Sequence, residues 1–163
     1  MFYNPITIAN YFIFKSFEEG VSMTPMKVLK LVYIANGWYL GYTGNTLITE
    51  RSQAWQYGPV ISTVYDAFKI YGRNEIEKIF VPSQYLQEDY QKLITDKYIV
   101  SFLDSVWNIY KKYDALELSD LTHQEGTPWS ITYRLMGNRS TIPNDLIEQH
   151  YKDKIDANGG ERK

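Results

Sequence analysis

The sequence contains no cysteine, and only two of its 163 residues are histidine. The lack of cysteine excludes disulfide bonds, a thiolate nucleophile and a zinc site with cysteine ligands. The scarcity of histidine disfavours a metal site, because such sites usually draw on several histidines or on clustered carboxylates. A glycine-rich phosphate loop with its lysine at the required spacing is also missing. We therefore expect neither a bound metal nor a cofactor.

Net positive charge and long apolar runs are also missing. The formal charge is −2 and the pI is about 5.7, whereas a nucleic-acid-binding face requires clustered positive charge. No apolar run reaches the roughly 18 residues that a membrane span needs. The N-terminal MFYNPITIANYF lacks the basic region and uninterrupted apolar run of a signal peptide. We expect a cytoplasmic protein that binds neither nucleic acid nor membrane.

Aromatic residues, in contrast, are abundant. They make up 16% of the sequence, with 15 tyrosines and 4 tryptophans, and hydrophobic residues reach 44%. Such a composition favours a packed core over disorder. Tyrosine joins a large apolar ring to a polar tip, which suits half-buried sites and interfaces. We therefore expect several of the aromatic side chains to lie at a contact surface.

Start and stop signals predict the first two helices. Asn-Pro at residues 4–5 and Thr-Pro at residues 24–25 each supply an N-cap and a first helical residue. Gly20 and Gly44 follow as the expected helix ends. The second helix has apolar residues on nearly every side, which predicts that it is buried all round.

Between the second and third helical patterns, the sequence loses its helical spacing of apolar residues. Residues 45–57 are interpreted as a short β-hairpin or an extended segment. Gly58-Pro59 is interpreted as the start of a third helix that ends at Gly72. Residues 96–113 form an amphipathic pattern that predicts another helix.

The pattern as a whole predicts a mainly α, single compact multi-helix domain over residues 1–156. Pro143 is expected to begin the last helix. The polar, glycine-rich residues 157–163 are expected to form a disordered tail.

The stretch LTHQEGTPW at 121–129 predicts the end of one helix and the start of another. Ser119 is a favourable N-cap for a short helix, and Gly126 can adopt the left-handed conformation that ends it. Thr127 is then the next N-cap, with Pro128 as the first helical residue. These local signals explain the segment without any catalytic chemistry.

His123 and Trp129 are not explained by capping. A histidine in the last helical turn can bond free carbonyl groups there, which is a structural role. The competing hypothesis is an enzyme built around His123, but serine and aspartate neighbours in the sequence do not by themselves make a triad. We expect His123 at a helix junction with one ring nitrogen bonded, and Trp129 mostly buried.

Three separated segments resemble the Panacea antitoxin domain, a family that includes SocA-like and phage-associated GepA-like proteins. The segments are LKLVY at Leu29–Tyr33, AWQYGPV at Ala54–Val60 and THQEGTPW at Thr122–Trp129. Their order and spacing match the family over roughly residues 5–151. The resemblance implies a mostly helical domain that neutralises a toxin by binding it directly.

The same resemblance carries over no catalytic residues, and none are expected. The motif residues are expected to be structural. They are Trp55, Gly58, Pro59, His123, Pro128 and Trp129.

Four hypotheses for function remain open at this point. The leading one is a non-enzymatic antitoxin that sequesters a cognate toxin protein. The second is an adaptor that delivers the partner to an ATP-dependent protease, which needs a second binding surface. The third is the enzyme built around His123. The fourth, transcriptional autoregulation, lacks a recognisable DNA-reading helix.

A partner-binding surface is predicted at the start of the third helix. Tyr65 and Ile61 lie off the apolar stripe of that helix and are expected to be exposed next to Tyr57. Such a patch with a polar rim has the usual anatomy of a binding hot spot. The alternative is that the helix at 96–113 covers this side. Trp55 is expected to pack in the core.

Overall fold

A computed structural model of the chain describes the backbone of residues 2–161 and the side chains of residues 2–158. Within this range the helices are α1 (Pro5–Glu19), α2 (Pro25–Thr43), α3 (Ser62–Phe68), α4 (Gln84–Thr95), α5 (Lys97–Tyr110), α6 (Ala115–His123), α7 (Pro128–Met136) and α8 (Asn144–Glu161). A 3-10 helix, Lys69–Tyr71, extends α3. Three short strands, β1 (Gln53–Trp55), β2 (Gly58–Val60) and β3 (Ser140–Thr141), pair antiparallel in the order β2-β1-β3. The predicted mainly α domain with a short β element is confirmed.

The first two helices begin and end where their local signals predicted. The side chain of Asn4 accepts a hydrogen bond from the backbone N–H of Ile6 at 2.9 Å. Gly20 closes α1 in the left-handed conformation, with φ at 66°. Thr24 and Gly44 perform the same two roles for α2. These boundaries depend on bonds within a few residues, which is why the sequence indicates them clearly.

Helix α2 is the central element of the core, and the predicted all-round burial is confirmed. It contacts α1, α5, α6 and α8, and the consecutive residues Leu31 and Val32 are both fully buried. Two lysines of this helix, Lys27 and Lys30, are also almost fully buried. Across residues 2–161, no helix has both the length and the apolar character needed to cross a membrane.

Helices α2 and α8 approach closely because α2 presents glycine at their contact. A Cβ atom added to Gly37 would lie 2.2 Å from the ring of Tyr151, and one added to Gly41 would lie 2.8 Å from the Tyr151 Cβ. Tyr151 is itself buried and has little room to move. The two glycines therefore allow the closest packing in this part of the core.

Polar side chains attach the irregular segment before α4, and α4 itself, to α1. The Asn10 amide donates to the Phe80 carbonyl and accepts from the Phe80 N–H, both at 2.9 Å. On α4, the buried Asp89 carboxylate accepts from the Thr7 hydroxyl at 2.6 Å and from the Asn4 N–H at 2.9 Å. Because these bonds join positions far apart in the sequence, local patterns do not indicate them.

The prediction that Gly58-Pro59 begins a helix is wrong. Gly58 and Pro59 belong to β2, where Pro59 lies opposite Ala54 of β1, and the helix α3 begins only at Ser62. Proline is tolerated here because β2 is an edge strand, so its missing N–H breaks no inner ladder bond. The hairpin accordingly spans residues 53–60 and lies later than the predicted 45–57.

Residues 84–95, for which the sequence analysis predicts no element, form α4 with Ser83 as the N-cap. One other local prediction needs correction. Ser119 is not an N-cap but lies inside α6, which begins with a capping box between Asp114 and Glu117. The capping box satisfies two backbone N–H groups reciprocally, and this makes it the stronger start signal.

The tail expected to be disordered, residues 157–163, overlaps the end of α8 at Glu161. Residues 162–163 and the side chains after residue 158 lie outside the described part of the chain. The expectation of a disordered tail therefore stays a prediction.

We predict that Gly37→Ala destabilises the protein, although alanine normally favours a helix by about 1 kcal/mol over glycine. The added methyl group overlaps the buried Tyr151 ring, and overpacking of this kind costs about 1–3 kcal/mol. The measurement is the free energy of unfolding in urea.

A double-mutant cycle isolates the cause. In a Tyr151→Ala background the ring is absent, so Gly37→Ala should become neutral or stabilising. An equal loss of stability in both backgrounds would show that Tyr151 is not the obstacle.

Candidate functional site

The β1–β2 hairpin is held by side-chain donors from three different helices. Lys30 Nζ on α2 donates to the Pro59 carbonyl at 3.0 Å. Ser119 Oγ on α6 donates to the Tyr57 carbonyl at 3.1 Å. Trp129 Nε1 on α7 donates to the Trp55 carbonyl at 2.6 Å. We call Lys30, Ser119 and Trp129 the three hairpin donors; together they fix the backbone at every second residue from 55 to 59.

Gly58 lies in the middle of this arrangement, and no other residue suits its position. Its φ is 122°, a conformation that residues with a Cβ rarely adopt. A Cβ there would lie 2.7 Å from Lys30 Nζ and 3.8 Å from His123 Nδ1. The Gly-Pro pair of the motif therefore allows α2 and α6 to approach the hairpin backbone.

His123 is the last residue of α6, at the junction with α7, as predicted. Its Nδ1 lies 3.3 Å from Ser119 Oγ, and its ring contacts Trp129 edge-on with centroids 5.4 Å apart. The Ser119 hydroxyl donates to the Tyr57 carbonyl; in the His123 tautomer that carries its proton on Nδ1, the serine accepts from the histidine. The Ser119–His123 pair thus lies directly behind the hairpin turn, with the serine hydroxyl bonded to the Tyr57 carbonyl.

Trp129 is partly buried and lies at the edge of the core. Its ring stacks on Tyr133 with centroids 4.9 Å apart, while its N–H holds the hairpin. The predicted N-cap Thr127 and first helical residue Pro128 of α7 are confirmed. The motif residues thus aim the indole at the hairpin.

Trp55, which was expected to pack in the core, is partly buried and packs against the core cluster from its edge. Successive side chains of a strand point to opposite faces, and the neighbouring Ala54 occupies the buried side with no exposure. Trp55 is therefore on the other face, half-buried. The Arg139 guanidinium lies 4.2 Å over its ring, and Tyr65 contacts its edge with centroids 5.0 Å apart.

The three predicted partner-binding residues have different environments. Tyr57, at the hairpin turn, is 71% exposed, and Tyr65 is 37% exposed. Ile61 is fully buried, so its expected exposure is wrong. The reason is that Ile61 precedes α3 in extended backbone, and the helical spacing that would place it beside Tyr65 does not apply.

A cavity of about 420 Å³ opens beside the hairpin, and we call it the hairpin cavity. Three of its walls are aromatic, from Trp55, Tyr57 and Tyr65. The rest of its lining is apolar or cationic and comes from Pro25, Met26, Leu29, Lys30, Val60, Lys69 and Arg139, with Gln56, Gly72 and Asn138 completing it. The described residues that line it include three cations and no carboxylate.

Lys30 is the most unusual group of this cavity. Its side chain is almost fully buried, with 3% exposure. Its ammonium carries three N–H donors and bonds one backbone carbonyl, and no ion pair to it occurs among the described residues. Burial lowers the pKa of Lys30 from 10.5 to about 7, because a low-dielectric site disfavours the charged form.

Sequence reasoning missed Lys30 as a functional candidate. A signal was present, since Lys30 stands between Leu29 and Leu31 in a helix predicted to be buried on every side. A lysine in such a helix has no solvated face and must find a buried acceptor. Arg139 gave no sequence signal, because only the folding of β3 next to β1 brings it over Trp55.

Among the described residues, no group of three or more histidine, aspartate or glutamate side chains is arranged to hold a metal ion. The polar contacts of the site are instead those that fix a backbone hairpin next to an aromatic cavity.

Comparison with known proteins assigns the family. The family model described as "Antitoxin SocA-like, Panacea domain" matches residues 28–130, a range that contains all three motifs. This match covers more than half of the chain, which therefore belongs to the SocA-like Panacea antitoxin family. The chain is also 23% identical over 150 residues to the protein named Antitoxin SocA from Caulobacter vibrioides (strain NA1000 / CB15N), covering 91% of this chain and 80% of that protein. No solved structure matches the chain significantly.

The low pKa of Lys30 predicts a specific pH dependence of stability. Above about pH 7 the folded protein has lost this proton, whereas the unfolded chain keeps it up to about 10.5. The unfolded state therefore binds more protons between these values, and the free energy of unfolding rises with pH.

Lys30→Met removes this titration. The free energy of unfolding of the wild type, measured in urea relative to that of Lys30→Met, should rise by up to about 1.4 kcal/mol per pH unit between about pH 7 and 9. A constant difference between the two proteins across this range would contradict a buried ammonium that loses its proton near neutrality.

Proposed function

We propose that this protein is an antitoxin that neutralises a cognate toxin protein by direct binding at the surface formed by the β1–β2 hairpin. The observation that carries this proposal is the convergence of the three family motifs on the hairpin backbone. Lys30 of the first motif holds the carbonyl of residue 59, and Trp129 of the third motif holds that of residue 55. Ser119, three residues before the third motif, holds the carbonyl of residue 57. The family and the relative named as an antitoxin support the same role.

The hairpin is suited to recognition because it is held in place before any partner arrives. Three helices fix its backbone, so little conformational entropy remains to be lost on binding. At its turn, Tyr57 projects with 71% exposure. A tyrosine fixed in this way supplies a large amphipathic contact at low entropic cost, which is typical of binding hot spots.

Tyr65 extends this surface into the hairpin cavity. Its ring packs edge-on against Trp55, and both rings line the cavity together with Tyr57. Aromatic walls around a concave site match the central pockets in which partner side chains are anchored. Ile61 lies buried beneath this surface and supports it without reaching a partner.

The proposed role requires no reaction step. Ser119, the serine closest to His123, has its hydroxyl bound to the Tyr57 carbonyl. We propose that His123 acts as a positioning residue for Ser119, and thereby for the hairpin turn that carries Tyr57.

We predict that Tyr57→Ala abolishes neutralisation of the toxin while leaving the fold unchanged. The toxin gene is first identified by cloning genomic fragments of the source organism. A fragment that carries it yields transformed cells only when this protein is also expressed. The complex of the two purified proteins should then weaken by about 2 kcal/mol or more, roughly 30-fold in Kd, on the scale of a hot-spot truncation. The measurements are rescue of growth and calorimetric titration.

Tyr98→Ala provides the matched control, because Tyr98 is 89% exposed in the first turn of α5. This variant should rescue growth as the wild type does. Full rescue by a folded Tyr57→Ala protein would remove the hairpin turn from the binding surface.

A further inference from the structure

The hairpin cavity is lined by positively charged side chains, although the chain as a whole is negative. The whole chain has a formal charge of −2, yet the described residues that line this cavity include Lys30, Lys69 and Arg139 and no carboxylate. Lys69 is paired with Asp66 at 3.3 Å on the exposed rim. Lys30 and Arg139 have no such carboxylate among the described residues, so two cations remain for a ligand.

Lys30 is buried at the cavity wall with two N–H donors beyond the one that bonds the Pro59 carbonyl. A buried ammonium without a counter-charge destabilises the fold by its lost hydration. The neighbouring Lys27 differs, because burial lowers its pKa while the nearby carboxylates of Asp114 and Glu117 partly oppose that shift. Lys30 has no nearby carboxylate of this kind among the described residues. This lack of a counter-charge points to an anion supplied from outside the protein.

Arg139 is oriented to take part in the same recognition. Its guanidinium carbon lies 4.2 Å from the centroid of the Trp55 ring, and its backbone N–H bonds the Ala54 carbonyl. No carboxylate pairs with this guanidinium among the described residues. Its N–H groups are therefore available, and their planar arrangement matches a carboxylate. The cavity thus offers a point charge from Lys30 and a planar donor from Arg139.

We propose that the hairpin cavity binds an aspartate or glutamate side chain of the partner protein, which pairs with Lys30 and Arg139. This inference rests on the proposed function and names the chemistry of the partner at that site. The apolar lining from Met26 and Leu29 receives the methylene stem of the acidic residue and an adjacent apolar side chain. The volume of about 420 Å³ lies within the usual range for binding cavities.

Binding of a carboxylate also favours the charged form of Lys30. Burial alone holds its pKa near 7, and an opposite charge within hydrogen-bond distance raises the pKa of a lysine. The acidic residue therefore makes a stronger interaction than a neutral residue of the same shape. Replacing the partner's glutamate by glutamine leaves the shape but removes the charge.

The test uses two displayed libraries of random peptides, selected against the full-length protein. One library allows aspartate and glutamate and the other excludes them; the C-terminus of every peptide is fused to the carrier, so only side-chain carboxylates are offered. We expect enrichment from the acidic library alone. In the enriched peptides, one Glu→Gln or Asp→Asn change should weaken binding by at least about tenfold.

Lys30→Met should weaken binding of the same peptides by at least about tenfold, because methionine keeps the unbranched shape but not the charge. Lys27→Met is the matched control, since Lys27 is a buried lysine of the same helix that bonds a backbone carbonyl away from this cavity. It should bind the peptides as the wild type does. The peptide substitution keeps the test decisive even if Lys30→Met folds poorly.

Enrichment of non-acidic peptides that bind Lys30→Met as strongly as the wild type would overturn the inference. If those peptides still lost affinity with Tyr57→Ala, the hairpin surface of the proposed function would stand without its carboxylate specificity. Failure of both libraries to enrich any peptide would also overturn the inference. The toxin-rescue experiment would then decide the proposed function separately.

Discussion

Hydrogen bonds from Lys30, Ser119 and Trp129 to the hairpin backbone are the interactions on which the rest of the site depends. A two-stranded hairpin this short is marginal by itself, and β3 adds only two residues to the sheet. The three donors come from α2, α6 and α7, so the hairpin keeps its position only when these helices are packed. Two of the donors, Lys30 and Trp129, belong to the first and third family motifs, which are far apart in the sequence but meet at the hairpin.

Helix α2 links the stability of the core to the chemistry of the site. Its glycines allow Tyr151 of α8 to pack closely, and its apolar residues are buried from several sides. The same helix carries Lys30 into the hairpin cavity, where burial lowers its pKa. A buried charge of this kind is costly for folding, and strongly shifted pKa values are often found at functional sites. Stability of the core offsets that cost.

The candidate site was only partly predictable from the sequence. Tyr57 and Tyr65 were identified as surface aromatics, and both line the cavity. The exposure of Ile61 was predicted wrongly, and Trp55 is only partly buried, because the directions of both side chains depend on whether residues 53–61 form strand or helix. Lys30 and Arg139 were missed altogether. Their importance follows from the absence of a nearby carboxylate and from stacking on Trp55, and both are properties of the assembled fold.

The sequence by itself determined the family, the helical class and the ends of α1 and α2, along with the junction from α6 to α7. Helix ends follow from bonds between near neighbours, such as Asn4 to Ile6, and their signals survive in any tertiary context. Only the tertiary structure decided that Pro59 lies in an edge strand and that three motifs meet at one hairpin. Strand pairing and burial depend on residues that are distant in the sequence, and local patterns do not indicate which distant residues will be in contact.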